Sequence, residues 1–208
     1  MGLSDCSASL DALDASRFSV FVEALTQTID AAAGDEARIL HEGAAHVTEL
    51  VSHDDWLPAK FADPVPGAYG QYLLYCDPRS RFTTVAFVWD AGSSTPIHDH
   101  TVWGIIGVLR GAEIAERFVI RSGKLCSCGE ATLRAGEVDR VSPRIGDVHR
   151  VRNAYADRSS ISIHVYGADL CKVERHTYCP DTGRVERIVS KPYDNPAVLA
   201  RHAAPSPY

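Results

Sequence analysis

The chain has 208 residues and a formal net charge of −6. Its 45% hydrophobic and 23% charged residues are ordinary globular composition, which excludes a disordered tail protein, a collagen and a disulfide-dense miniature. Lys and Arg number 21 against 27 Asp and Glu, so no nucleic-acid surface is expected, and no apolar run approaches the roughly 20 residues that span a membrane.

Residues Met1 to Leu13 carry Asp5 and Asp11 and no basic cluster. They lack the charged start and apolar stretch of a signal peptide, so the cytoplasm is the expected compartment. There, Cys6, Cys76, Cys126, Cys128, Cys171 and Cys179 read as free thiols. Cys126 and Cys128 form the one close pair, without the two-residue gap of a zinc knuckle or a thioredoxin-type motif. One of the two is expected to face in and the other out.

Residues 1–60 have helical periodicity. Phe18, Phe21, Val22, Leu25 and Ile29 make one stripe, with Ser16 as its cap and Gly34 as its end. Asp35 starts a second helix that buries Ile39, Leu40, Val47, Leu50 and Val51, and Asp54, Asp55 and Pro58 close it. His41, His46 and His53 share no helical spacing and read as surface or capping residues. After a Pro- and Gly-rich break at residues 62–70 the period becomes that of strands. The expected strands cover residues 72–76, 82–89, 103–109, 114–120, 131–134, 138–141, 148–151, 161–166, 173–178 and 184–188. Short strands at intervals of about ten residues predict a mainly β sandwich or barrel, with residues 69–190 as the barrel of a single domain. The Pro-containing end, Lys191 to Tyr208, is expected to wrap the surface or fray.

The informative segment is Gly92 to Gly111. His98 and His100 are two apart, so on a strand they project to one face, and paired imidazoles are half a site for Fe, Zn, Cu or Ni. A second segment runs Gly146, Asp147, Val148, His149 and on to Asn153. Together these segments resemble the two motifs of the cupin superfamily, whose fold is a double-stranded β-helix or jelly-roll barrel. The first motif is met by Gly92, His98, His100 and Gly111, with Gly104 where a glutamate belongs. The second is met by Gly146, His149 and Asn153. Without the glutamate, three neutral histidines leave a divalent metal its full charge and favour anionic ligands, a thiolate included. Asp99 is expected to point away from its flanking histidines, and Glu113 lies after a turn, so neither is expected to ligate.

A narrower resemblance is to the cysteine dioxygenase family of thiol dioxygenases. It rests on Pro96 to Thr101, on His149-Arg150-Val151 and on Ser162-Ile163-His164-Val165-Tyr166. Ser162, His164 and Tyr166 alternate on one strand, so a hydroxyl, an imidazole and a phenol can form a relay. The resemblance implies Fe(II) on His98, His100 and His149, with the Tyr166 hydroxyl beside a small thiol substrate and O2. Gln71 and the downstream Arg175 place the chain nearest the Gln-type branch, the 3-mercaptopropionate dioxygenases. Gln71 can hydrogen-bond a carboxylate, whereas Arg175 can also neutralise it. The family's crosslinking cysteine corresponds to Gly104, so no crosslink to Tyr166 is expected. Trp89 reads as barrel core. Three alternatives stay open: oxidation of L-cysteine, another cupin metalloenzyme with zinc or nickel, and a non-catalytic ligand-binding cupin.

Overall fold

A computed structural model describes residues 17–195. Ser16, Cys6 and the chain beyond Asn195 lie outside the described residues. Two helices come first, α1 (Arg17–Ala32) and α2 (Glu36–Val51). The α1 stripe Phe18, Phe21, Val22, Leu25 and Ile29 is buried as its spacing predicts. Asp35 caps α2 by accepting the Arg38 N–H at 3.2 Å. His46 joins α2 to α1 through Thr28 at 3.0 Å, and His53 bonds Ser52, so both serve structure.

The rest is two antiparallel sheets. The strands are β1 (Tyr69–Cys76), β2 (Thr83–Trp89), β3 (Ile97–His98), β4 (Gly104–Arg110), β5 (Ala112–Arg121), β6 (Lys124–Arg134), β7 (Val138–Val141), β8 (His149–Asn153), β9 (Ser160–Tyr166), β10 (Arg175–Tyr178) and β11 (Val185–Ile188). One sheet has the order β1-β2-β9-β4-β7 and the other β11-β10-β3-β8-β5-β6. This is the double-stranded β-helix, with the helices laid on its five-stranded sheet. No helix among the described residues is long and apolar enough to cross a membrane.

The five-stranded sheet is covered on both faces, which is why β2 and β9 are buried at every residue. On β9, Ile161, Ile163 and Val165 join the core under the helices, with Phe18, Leu25 and Leu50. The alternate residues Ser162, His164 and Tyr166 therefore face the barrel interior. There Val85, Phe87, Trp89, Ala115, Val151 and Leu170 form a second apolar cluster around Tyr166.

Several sequence expectations shift. The first strand starts three residues earlier than expected, at Tyr69, because Gly70 and Gln71 already pair with Val88 and Phe87. The strand expected from Val173 starts at Arg175. β6 is much longer than expected and runs through Cys126 and Cys128, where Cys128 is the extra residue of a bulge opposite Arg117 and Phe118. The bulge breaks the alternation, and Cys126 is part-buried while Cys128 is exposed.

Helix α2 lies directly on β4. A Cβ built on Gly107 would stand 2.6 Å from Val47 Cγ1 and 3.0 Å from Val51 Cγ1. Gly107→Ala is therefore expected to lift α2 and to cost about 1–3 kcal/mol of unfolding free energy. Urea denaturation of the two proteins measures it, and an unchanged midpoint would show that α2 yields freely.

Candidate metal centre

β3 and β8 set His98 directly opposite His149. His100, expected on the same strand as His98, lies past its end, because β3 stops at His98. A carboxylate aims it instead. Asp147 Oδ2 accepts the backbone N–H groups of His100 and Thr101 at 3.0 and 2.9 Å, and its Oδ1 accepts His100 Nδ1–H at 2.8 Å. Thr101 then turns the chain at φ 60°. All three histidines are buried, and one nitrogen from each lies within 4.8 Å of the others.

The protonation pattern follows from the partners. His98 Nδ1 is 3.0 Å from the Pro96 carbonyl, which can only accept, so Nδ1 carries the hydrogen and Nε2 the lone pair. The Asp147 carboxylate imposes the same tautomer on His100. Burial, then the neighbouring His100 and Arg175, push His98 down to about 3. Burial and the two other histidines hold His149 well below its ordinary value. Imidazole nitrogens that converge in this way, two of the rings tied off at Nδ1, fit a first-row divalent transition metal.

Neither nearby acid joins them. Asp99 turns away and accepts the backbone N–H of His176 at 2.7 Å, His176 Nδ1–H at 2.8 Å and the Tyr178 hydroxyl at 2.7 Å. Glu113 is buried apart from the three-histidine group, with its carboxyl beside Ser162.

Beside the histidines runs an unbroken chain of hydrogen bonds. Ser162 Oγ is 2.7 Å from His164 Nε2, and His164 Nδ1 is 2.8 Å from the Tyr166 hydroxyl. Burial pushes the Tyr166 phenol far up and His164 well down, so both are neutral. Trp89 is core, but its indole N–H also donates to Ser162 Oγ at 2.9 Å. The Tyr166 ring stacks on His100 with centroids 5.2 Å apart. Gly104 pairs with Tyr166, and a Cβ there would lie 3.0 Å from its ring, so the position beside the phenol holds no side chain and no sulfur.

These groups share a cavity of about 550 Å³, its open mouth included. Every candidate residue but Ser162 lines it, Gln71 and Arg175 included. Arg175 Nη1 donates to the Asp99 carbonyl at 3.3 Å and Nη2 to Ser190 Oγ at 2.7 Å, while its buried Nε has no partner. Gln71 is held by its backbone, which exchanges hydrogen bonds with Asp194. Sequence reasoning missed Asp147, Ser190 and the second role of Trp89. Asp147 gave no local signal, because it stands two residues before His149 yet supports His100, 47 residues away.

A family model for cysteine dioxygenase type I matches residues 25–178. Among solved structures, a Thermus thermophilus protein is 17% identical over 53% of this chain and 92% of its own, with a TM-score of 0.42. Oxalate oxidase in complex with glycolate is 17% identical over 50% of this chain and 53% of its own, with a TM-score of 0.41. A cupin-like protein of Thermotoga maritima is 21% identical over 47% of this chain and 67% of its own, with a TM-score of 0.38.

Asp147→Asn is expected to weaken metal affinity about 10–100-fold, read by competition with a chelator. Unaltered affinity would mean that Asp147 does not support His100. The metal-free protein is also expected to lose stability as pH falls. The unfolded chain takes up a proton near 6.5 that folded His98 refuses until about 3. The stability present above pH 6.5 is therefore lost on acidification, by about 1.4 kcal/mol per pH unit for each such histidine. Urea midpoints across that range, with and without added metal, measure the loss, and a flat midpoint would refute neutral burial.

Proposed function

The chain belongs to the cysteine dioxygenase type I family, and from that membership we propose that it is an Fe(II)-dependent thiol dioxygenase converting 3-mercaptopropionate to 3-sulfinopropionate. His98, His100 and His149 would hold the metal. Fe(II), when bound, supplies the place where thiolate and O2 meet so that both oxygen atoms pass to sulfur as a sulfinic acid. Sulfur gives all the electrons that O2 takes up, so no further reductant enters.

The protein's own groups bind and orient. Arg175 neutralises the substrate carboxylate and offers it a planar fork of donors, among them the unpartnered Nε. Gln71 adds a neutral hydrogen bond. Fixing the carboxylate end sets where the sulfur lies relative to the histidines. The Tyr166 hydroxyl, positioned by His164 and Ser162, donates a hydrogen bond into the cavity.

The observation that carries the choice of substrate is the charge of the cavity wall. Among the described lining residues Arg175 is the one permanent charge, and no Asp or Glu is present. A carboxylate finds a partner there, while the ammonium of cysteine finds no counter-charge.

The kcat/KM for 3-mercaptopropionate is expected to exceed that for L-cysteine, with the sulfinic acid identified by mass spectrometry; the reverse order would make cysteine the substrate. Arg175→Ala should lower kcat/KM for the acid about 10–100-fold, mainly through KM, and hurt a thiol without a carboxylate much less. Equal losses would make Arg175 structural. His149→Ala should abolish metal binding and sulfinate formation together, and full activity would overturn the ligand assignment.

A further inference from the structure

Glu113 lies deep in the barrel, 3% exposed, on β5 between Asn153 of β8 and Leu133 of β6. Its Oε2 is buried without a hydrogen-bond partner. No role falls to it in binding metal or substrate. Its neighbour is Ser162, the inner end of the chain that leads to Tyr166.

The hydrogen-bonding capacity of that chain admits two arrangements. The indole of Trp89 can only donate, so it takes one lone pair of Ser162 Oγ in both. The hydroxyl is left with one hydrogen and one lone pair for two neighbours, Glu113 and His164 Nε2. One must receive and the other must give. His164, neutral and bonded at both nitrogens, repeats the choice: if Nε2 accepts, Nδ1–H donates to Tyr166, and if Nε2 donates, Nδ1 accepts from Tyr166.

We propose that Glu113 is the proton store at the inner end of this chain, and that its protonation state decides whether Tyr166 offers a hydrogen or a lone pair to the cavity. With Glu113 protonated, its O–H donates to Ser162, Ser162 to His164 Nε2, His164 Nδ1 to the Tyr166 oxygen, and the Tyr166 O–H points into the cavity. When a group in the cavity takes that hydrogen, each proton shifts by one bond. Tyr166 receives the His164 Nδ1 proton, Nε2 the Ser162 proton and Ser162 the Glu113 proton, leaving a Glu113 carboxylate and a Tyr166 O–H turned inward to His164. One proton has entered the cavity, one has left Glu113, and no electron has moved. Glu113 is thus a positioning residue that acts through Tyr166, and its value to catalysis rests on the thiol dioxygenase reading above.

The surroundings suit a carboxyl that changes state at physiological pH. Burial, opposed by Ser162 and aided by Asp139 of β7, pushes Glu113 up to about 7. Asp139 is itself paired with Arg117 of β5 at 2.5 Å. On β9, His164 and Tyr166 are held neutral by their own burial.

The test has two arms. Infrared difference spectra of the metal-free protein, from about pH 6 to about pH 8, should show the carbonyl stretch of one protonated carboxyl disappearing, where exposed carboxyls are already ionised. The band should be missing from Glu113→Gln. No titrating carboxyl in the wild type would overturn the proposal, whatever the protein's substrate. In the second arm, kcat/KM of the iron-loaded wild type should fall about tenfold per pH unit above about 7, as Tyr166 turns inward. Glu113→Gln keeps a donor toward Ser162 and cannot ionise. Because it has no proton to release, its kcat/KM should fall below that of the wild type at about pH 6 and show no such alkaline limb. The same limb in both proteins would also overturn the proposal. Should Glu113→Gln fail to fold, the wild-type infrared titration alone decides, and a failed thiol assay leaves that arm intact.

Discussion

Three imidazoles can share one metal only through free nitrogen lone pairs, and here one nitrogen from each lies within 4.8 Å of the others. Much of the barrel's layout serves that condition. The Pro96 carbonyl and the Asp147 carboxylate take the Nδ1 hydrogens of His98 and His100, which leaves the other nitrogens as lone pairs. The positive charge of Arg175 adds to the pressure against protonating His98. The group proposed to hold the substrate carboxylate therefore also disfavours a proton on one of the clustered histidines. Asp99, the nearest acid in sequence, is drawn off by His176 and Tyr178, and in turning away its carbonyl receives Arg175. The segment that carries His98 and His100 thus also receives Arg175 through the Asp99 carbonyl.

The five-stranded sheet shows how one strand serves two purposes. Odd residues of β9, from Ile161 to Val165, lie in the core with the helices, and even residues, from Ser162 to Tyr166, carry the polar chain. A slip of one register would exchange them and bury the polar set under α1 and α2. The helices therefore do more than cover an edge. Their apolar stripes select the register that points Tyr166 at the histidines.

This much was legible because period-two and helical spacings are local. The two helices, most strands and the three histidines could be read from alternation and from two short motifs. What could not be read depends on contacts between distant segments. The position of His100 depends on Asp147, 47 residues away, so the strand assumed to align it with His98 was unnecessary. Trp89 was read only as core because nothing in its neighbourhood shows the Ser162 hydroxyl, 73 residues on. Glu113 was read only as a residue not expected to ligate, and its link to Ser162 arises only once β5 and β9 are curled into one barrel. Arg175 and Gln71 were accessible through the family resemblance, whereas Ser190 had no signal.

β1 is the outer strand of its sheet, and such a border exposes a row of backbone donors and acceptors. Here the row is partly occupied from within. Asp194 exchanges hydrogen bonds with the Gln71 backbone, and the Asn195 side-chain amide mimics a peptide group by accepting from Leu73 N–H and donating to its carbonyl. Tyr193, packed near the inner cluster and bonded to Asp169, secures this stretch against the body. The segment thus acts as a decoy strand: along the part of β1 nearest the cavity it denies another polypeptide the pairing sites needed for edge-to-edge association, while leaving the sheet itself no wider.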